Sequence, residues 1–543
     1  MAQEKSITVA ISRLLDLVKK DKRDVYSIYL LSILAGIVSL SLPLGIQTII
    51  GFVMAGSLST SIVILIVLVL IGTFLSGFLQ IKQLEFIEKI EQKIFVRYAL
   101  EFGSKLPHLN IEKLDSHYLP ELVNRFFDVP TLQKSLHKLL VDIPAALFQI
   151  LLGTLLLSFY HPLFIAFGIV LLLIVIVVLK TTSAKGFETS IYTSDYKYNV
   201  VSWLEDIARS IKTFKFGRES MININRTDSI SAKYIDARTK HFKILKIQFW
   251  SLVAFKLLIT AAMLILGVVL LINQQINIGQ FIAADIVIIA IMASIEKLIG
   301  NMDQVYEALT AVEKLNKVIG SELEKGGSLK LSSANQGLSV VFDAVSFSYP
   351  DTGLVFEQLN FGLNSGEWML ITGKSGSGKS TILRLLSGTF TDFKGKIFVD
   401  GLPIKNYDLH NLRSNMGMLF GQLDLFSGTL LQNITLDNPN IDLEKVKDMT
   451  CMVGLDEYVK DQEYGFDAMI DPMGKRLPAI VKNQILLCRA LIMPSKLYIL
   501  EDPFGCLKDK NTVAVIDYLK NTGATVIVTG NHQSGDFDKV LEL

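Results

Sequence analysis

Cysteine is scarce in this sequence. Three residues, Cys451, Cys488 and Cys506, lie in the C-terminal third of 543. An odd number at irregular spacing supplies neither a disulfide framework nor a zinc-ligand pattern, and the expectation is buried, reduced thiols in a cytosolic domain. An excess of charge of either sign is also missing. Lys and Arg number 53 against 52 Asp and Glu, a net +1, so the electrostatic footprint of a nucleic-acid binder is absent and no nucleic-acid partner is expected. The opening stretch MAQEKSITVAISRLLDLVKKDKRD has no apolar core leading to a small-residue cleavage site and does not read as a cleavable signal. Charged and mildly amphipathic, residues 1–24 read as a helix on the cytoplasmic membrane surface. Apolar residues, by contrast, are abundant: 50% of the chain, with 19% charged and a mean hydropathy of +0.43. That is too apolar for an ordinary soluble enzyme of this length, and the length admits two or more domains.

Nearly all long apolar runs precede residue 320. Six spans are predicted, at about 26–54, 61–82, 138–160, 163–182, 248–273 and 280–300, each near the roughly 20 residues that cross a hydrocarbon core. The loops after the first, third and fifth spans are tiny. The segments after the second and fourth are long, polar and helix-forming. Lys19, Lys20, Lys22 and Arg23 precede the first span, and more Lys and Arg fill 92–140 and 180–246. The excess of positive charge on these segments places them in the cytoplasm, and six crossings return the C-terminal half to the same side. IKQLEFIEKIEQKIFVRYALEFGSKL continues the second span as a helix beyond the bilayer, and 183–246 does the same between spans four and five, so two cytoplasmic hairpins are expected.

Asp285 falls inside the sixth span, where an ionisable group is costly and needs a cavity or a partner. A substrate path, pairing with Lys297 or a backbone group, and a place near the outer interface all remain open for it. Residues 317–337, VIGSELEKGGSLKLSSANQGL, are rich in Gly, Ser and Lys and read as a linker. From 338 onward, β-rich runs (LSVVFDAVSFSY, EWMLITG, GKIFVDG, NMGMLF, KLYILE, TVIVTG) alternate with helical segments, the pattern of an α/β domain. The expected fold class is therefore a multi-domain membrane protein. An interfacial helix spans 1–24, an all-α six-helix membrane domain 25–316, a linker 317–337 and an α/β domain 338–543.

GKSGSGKST, residues 373–381, is the strongest signal in the chain. Gly373 through Ser380 fit G-x-x-x-x-G-K-[ST], with a strand candidate before and a helix candidate after. Gly373, Ser375, Gly376, Ser377 and Gly378 let backbone N–H groups approach phosphates. The following helix, which includes Thr381, directs its positive end at the same anion. Lys379 is placed to reach the β- and γ-phosphates and Ser380 to bind Mg²⁺. A nucleotide with Mg²⁺ is the expected ligand.

Six spans with long cytoplasmic hairpins followed by this loop resemble an ABC half-transporter of the exporter type, and the resemblance covers essentially the whole chain. It implies that Tyr349, ending VSFSY, stacks on adenine, and that Gln422 in MLFGQLDLFSGTLLQNI contacts Mg²⁺ and the attacking water. DSHYLPELVNRFFDV resembles the first cytoplasmic hairpin, whose tip couples to the nucleotide domain. The membrane half is most similar to exporters of bacterial type I secretion and related peptide exporters. The same resemblance implies a multi-pass protein of the bacterial inner (plasma) membrane and contact with membrane lipid. It also implies a second half-transporter as homodimer or heterodimer partner, with a periplasmic adaptor and an outer-membrane channel as further partners.

The family pattern then fails at several catalytic positions. LLCRAL fixes the register of the signature, so Leu477, Pro478, Ala479, Ile480 and Val481 stand where L-S-G-G-Q is found. Pro478 has neither hydroxyl nor N–H. In YILEDPFGCLKD, Glu501 stands in place of the Mg²⁺-supporting aspartate and Asp502 in place of the glutamate that polarises water. Lys508 replaces a following aspartate. Gly530 occupies the switch-histidine position, and His532 comes two residues later. The reading is an exporter subunit that binds Mg–ATP and hydrolyses it slowly or not at all. A working exporter with unusual residues (Asp502 as base, Lys508 or His532 on phosphate) and a membrane scaffold with ATP as structural ligand are the alternatives.

Overall fold

The computed structural model describes residues 7–54, 60–114, 119–218, 220–331, 336–349, 353–530 and 534–543. The chain falls into two compact units. One comprises Met1–His108 with Tyr118–Ser321, the other Leu109–His117 with Glu322–Leu543.

Among its described residues the first unit has helices and no strand. Among the described residues, six helical stretches are long and apolar enough to cross a membrane, within Lys22–Met54, Thr60–His108, Glu121–Tyr160, Leu163–Arg209, Ile222–Ile272 and Ile278–Ile319. Each contains one of the spans expected from the sequence. The first is interrupted between Lys22–Ser39 and Ser41–Met54. Pro43, which has no N–H to donate back to Ser39, accounts for the break. The expected cytoplasmic extensions are continuous helices. Thr60–Lys105, Leu163–Arg209 and Ile222–Ile272 contain 46, 47 and 51 residues. At 1.5 Å per residue these are about 70–77 Å long, more than twice the ~30 Å hydrocarbon core.

Where the long helices meet the last one, packing is close and polar. A β-carbon on Gly186 would lie 2.4 Å from the Tyr306 ring, so only glycine permits that approach. Gln248 donates to Thr182 Oγ1 and to the Tyr306 hydroxyl, each at 2.8 Å. His241 bridges Thr189 at 2.9 Å and Asp303 at 3.0 Å. Buried Lys314 pairs with Asp195. The N-terminal helix Ile7–Lys19 buries Ala10, Leu14 and Leu17 and pairs Arg13 with Glu313.

The second unit is α/β. Its parallel sheet orders Lys539–Glu542, Trp368–Thr372, Thr525–Thr529, Leu497–Glu501 and Met416–Leu419. A second sheet, antiparallel, orders Gly353–Leu363, Val340–Tyr349, Lys394–Val399 and Leu402–Pro403. All six strand candidates are strands, to within a residue or two. Gly353–Leu363, Lys539–Glu542 and three two-residue strands are additional. The linker starts later than 317, because the last helix of the first unit continues to Ile319 and the units divide after Ser321. Within the linker Leu323 bridges Leu109 and Leu329 bridges Tyr407.

Candidate nucleotide-binding site

The phosphate loop leaves the carboxyl end of Trp368–Thr372 and enters the helix Lys379–Leu386, which is where open parallel sheets bind ligands. Gly373, Gly376 and Gly378 have φ of 142°, 84° and 99°, a backbone that L side chains rarely adopt. Gly378 also packs tightly, since a β-carbon there would stand 2.8 Å from Val355. Gly376 is the reverse: a β-carbon would meet nothing within 4 Å, so its face of the loop is open. The Lys379 ammonium lies over the loop, donating to the Gly373 and Lys374 carbonyls at 2.7 Å each. Thr381 accepts or donates at 3.1 Å to the Tyr349 hydroxyl, which also accepts from Arg384 at 3.3 Å. Tyr349 is half-buried, its ring edge-on to Phe347 and Phe390 at 5.0 and 5.6 Å. The sequence joined Tyr349 to the phosphate loop only by resemblance; the fold brings them within one hydrogen bond.

The neighbouring strand ends at Glu501. Its Oε1 accepts the Ser380 hydroxyl at 2.5 Å, and its Oε2 accepts the amide of Gly421 at 2.8 Å. A hydroxyl and a carboxylate side by side, both hard oxygen donors, fit a magnesium ion. Gln422 is exposed, and its neighbour Gly421 borders the carboxylate: a β-carbon at 421 would lie 3.5 Å from Glu501 Oε2. Sequence reasoning missed Gly421, because which residue of GQLDLF faces the site depends on where the strand Met416–Leu419 stops, and strand ends are the least legible feature of a sequence.

Asp502 follows in a left-handed conformation, φ 44°, its amide donating to Thr529 O at 2.8 Å. A β-carbon on Gly505 would come within 2.7 Å of Asp502 Oδ2, so the carboxylate lies over the turn that follows the strand. Lys508 reaches Glu457 at 2.8 and 3.0 Å, and this ammonium holds the Glu457 carboxyl below the usual range. Gly530 closes the strand Thr525–Thr529 with φ 148°. His532 lies outside the described residues. Leu477 is half-buried and Pro478 precedes the helix Ala479–Leu491 with no side-chain cap. Ile480 is 57% exposed, Ala479 is exposed and Val481 half-buried.

Asp285 is exposed on the helix Ile278–Gly300. Pairing with Lys297 is excluded, since twelve residues of helix separate them by about 18 Å. The expectation of buried thiols holds for Cys488 and Cys506 and fails for Cys451, exposed on Leu443–Val453. Its helix buries one face, and Cys451 lies outside it.

A phosphate-loop domain of this kind, on the same chain as six membrane-spanning helices, defines an ATP-binding-cassette type of membrane transporter. The chain matches the family model described as ABC transporter transmembrane region over residues 25–295 and the one described as ABC transporter over 356–505. The protein belongs to the ABC transporters, with a transmembrane region and a nucleotide-binding domain on the one chain, and is a multi-pass membrane protein. It is 27% identical over 291 residues to the uncharacterized ABC transporter ATP-binding protein YknV of Bacillus subtilis, a match covering 52% of this chain and 48% of that one. It is 26% identical over 273 residues to the alpha-hemolysin translocation ATP-binding protein HlyB of Escherichia coli, covering 50% and 38%. To the lactococcin-A transport/processing ATP-binding protein LcnC of Lactococcus lactis it is 22% identical over 493 residues, covering 90% and 68%. The matches to the first two thus span about half or less of those relatives. A bacterial Atm1-family ABC exporter with ATP bound shares the fold, with a TM-score of 0.86 at 17% identity over 96% of this chain and 93% of that one.

Proposed function

We propose that this chain is one half of a bacterial inner-membrane exporter of the type I secretion or peptide-export kind, which binds Mg–ATP at Gly373–Thr381 and turns it over poorly or not at all. The observation that carries the reading is the start of the helix Ala479–Leu491. In a half-transporter dimer this segment faces the partner's phosphate loop. Here it offers a proline, an exposed isoleucine and no side-chain cap. Each missing hydrogen bond to charged phosphate forgoes about 1.5–3 kcal/mol of the closed, ATP-sandwiched state.

Binding is the part that the residues support. Loop amides and the Lys379 ammonium neutralise phosphate, and Tyr349 borders the base side through Thr381. Ser380 and Glu501 are the residues that would hold a magnesium ion, which would offset charge on the phosphates. Hydrolysis is the part they do not. Asp502 is a methylene shorter than the usual base and its carboxylate lies over its own turn, while a misplacement of ~1 Å costs about 10²-fold in rate. A second half-transporter completes the machine, as homodimer or heterodimer. A periplasmic adaptor and an outer-membrane channel complete a type I pathway, with the N-terminus and the nucleotide domain in the cytoplasm. The preserved Ser380–Glu501 contact favours one other reading, a working ATPase with exchanged carboxylates.

The deciding experiment is ATP hydrolysis by the lipid-reconstituted chain beside radiolabelled ATP binding, with Lys379→Ala as background. Binding without turnover above that background is expected. Turnover abolished by Lys379→Ala would establish the working variant instead, and absence of specific binding would overturn both.

A further inference from the structure

Charge within the spans is confined to two helices. Residues 25–81 and 143–179, the apolar stretches of the first four spans, contain no Asp, Glu, Lys or Arg. Spans five and six contain Lys256, Asp285, Glu296 and Lys297. Asp285 and Glu296 stand eleven residues apart on the helix Ile278–Gly300. That is close to three turns, so both lie on one face, about 16 Å apart along the axis. The face is open: Ile289, one turn from Asp285, is 54% exposed, and Ala293 is exposed before Glu296. On the neighbouring helix, Lys256 lies about 12 Å inside the span that begins near residue 248. Its ammonium pairs with the Glu296 carboxylate, and 41% of the Lys256 side chain and 52% of the Glu296 side chain stay exposed. One turn along both helices, Thr260 Oγ1 donates to Met292 Sδ at 3.9 Å. Asp285 has no hydrogen-bond or ion-pair partner among the described residues. Lys297 is exposed in the last turn of the helix.

Ionisable groups within spans are costly against hydrocarbon and turn instead to water-filled cavities or partners. The second span shows the contrast. Its exposed residues, Leu70 among them at 63%, are apolar, and Thr60–Ile81 includes no charge. We propose that the face carrying Asp285, Ile289, Met292 and Glu296 lines an aqueous path and binds positively charged, amphipathic peptide cargo. Without cargo, Lys256 is the counter-ion of Glu296. A cargo cation replaces it there, another meets the unpaired Asp285, and Ile289 with Met292 receives apolar side chains between them. The inference rests on the peptide-export reading above and adds the sign of charge that the cargo carries.

The test has two parts, both on the full-length chain in nanodiscs of zwitterionic lipid. The first needs neither nucleotide nor cargo. In a Cys451→Ser background, Ile289→Cys is expected to react with a charged, membrane-impermeant methanethiosulfonate at least about tenfold faster than Leu70→Cys, because the reactive thiolate forms in water. Equal rates would overturn the aqueous path. The second part measures binding of a fluorescent Lys/Leu amphipathic peptide, of its Glu/Leu counterpart and of tetraphenylphosphonium, a small apolar cation. The Lys/Leu peptide is expected to bind at least about tenfold more tightly than either. Asp285→Asn is expected to weaken that binding about threefold to fivefold, and Lys256→Gln, which frees Glu296, to strengthen it by a similar factor. A purely structural Lys256 would give no gain. Binding indifferent to Asp285→Asn, or tighter for the Glu/Leu peptide, would overturn the charge assignment, and tetraphenylphosphonium binding as tightly as the Lys/Leu peptide would overturn the peptide class. Should the parent bind ATP no better than Lys379→Ala, the nucleotide reading fails by itself, and labelling and peptide binding still decide the path.

Discussion

The Glu112 carboxylate binds the backbone at Thr391 and Asp392. Its Oε2 accepts the Thr391 amide at 2.9 Å and the Thr391 hydroxyl at 3.1 Å, and its Oε1 accepts the Asp392 amide at 3.0 Å. Glu112 belongs to the short segment Leu109–His117 that groups with the nucleotide domain. The same segment is tied by Asn110 N to Glu322 O at 3.0 Å and by the Lys113–Glu322 ion pair. Three bonds to one carboxylate make Glu112 the residue to test. Glu112→Ala is expected to destabilise this unit by about 1–3 kcal/mol, read as a fall of several degrees in melting temperature. Glu112→Gln, which keeps two acceptor positions on one oxygen, is expected to lose less. An unchanged melting temperature in Glu112→Ala would show that the carboxylate contributes nothing net.

A pH dependence follows from Glu367. It accepts from Lys539 and from both the amide and the side chain of Asn364, all at 2.8 Å. Lys539 first, and Asn364 next, hold its carboxyl down to about 2 from an ordinary value of 4.5. A depressed folded value contributes stability that is complete above about pH 4.5 and disappears as pH falls toward about 2. Glu367→Gln is therefore expected to melt lower than the parent at pH 6, with the gap closing as pH is lowered through 4.5. A gap independent of pH would mean that packing, not charge, accounts for the loss.

How much of this was legible beforehand varies with the physics of each feature. Membrane spans were readable because twenty apolar residues have few other uses, and the phosphate loop because glycines, lysine and serine occur there at fixed spacing between a strand and a helix. The strand Gly353–Leu363 was not. Its pairing with Val340–Tyr349 is broken by register shifts, so GLVFEQLNFGL does not alternate cleanly between apolar and polar residues. Glu501 was found as an anomaly of one methylene, but its partner Gly421 was not. A residue that meets the site through its backbone amide, as Gly421 does, carries no side-chain signal by which a sequence could mark it.

Thiol chemistry gives an independent check on the fold of the second unit. Burial pushes the Cys506 thiol up to about 11 and raises Cys488 further, while Cys451 is exposed. A maleimide at pH 7 is expected to modify Cys451 alone in the native chain, with Cys488 and Cys506 reacting only after denaturation. Cys451→Ser should then leave no rapid labelling. Fast modification of Cys488 in the native protein would mean that the helix Ala479–Leu491 does not pack as described.

The signature segment allows the proposed deficit to be reversed rather than deepened. If weak turnover arises from Pro478, Ile480 and Val481 at the helix start and from the short Asp502, then restoring both should act together. Pro478→Ser supplies a hydroxyl that can cap the helix. Ala479→Gly and Ile480→Gly remove side chains in front of the first amides, and Val481→Gln returns a polar group. Asp502→Glu extends the base by one methylene without touching Glu501 or Ser380. The signature variant alone is expected to strengthen ATP-dependent dimer closure with little turnover, because the water still lacks a well-placed base. Asp502→Glu alone is expected to do little, because the sandwich does not close. The combined variant is expected to hydrolyse ATP at least about tenfold faster than the parent, an effect larger than the product of the two separate changes, as groups acting as one unit require. Steady-state phosphate release by the reconstituted chain measures all four proteins side by side. A combined variant no faster than the parent would place the deficit elsewhere in the nucleotide domain.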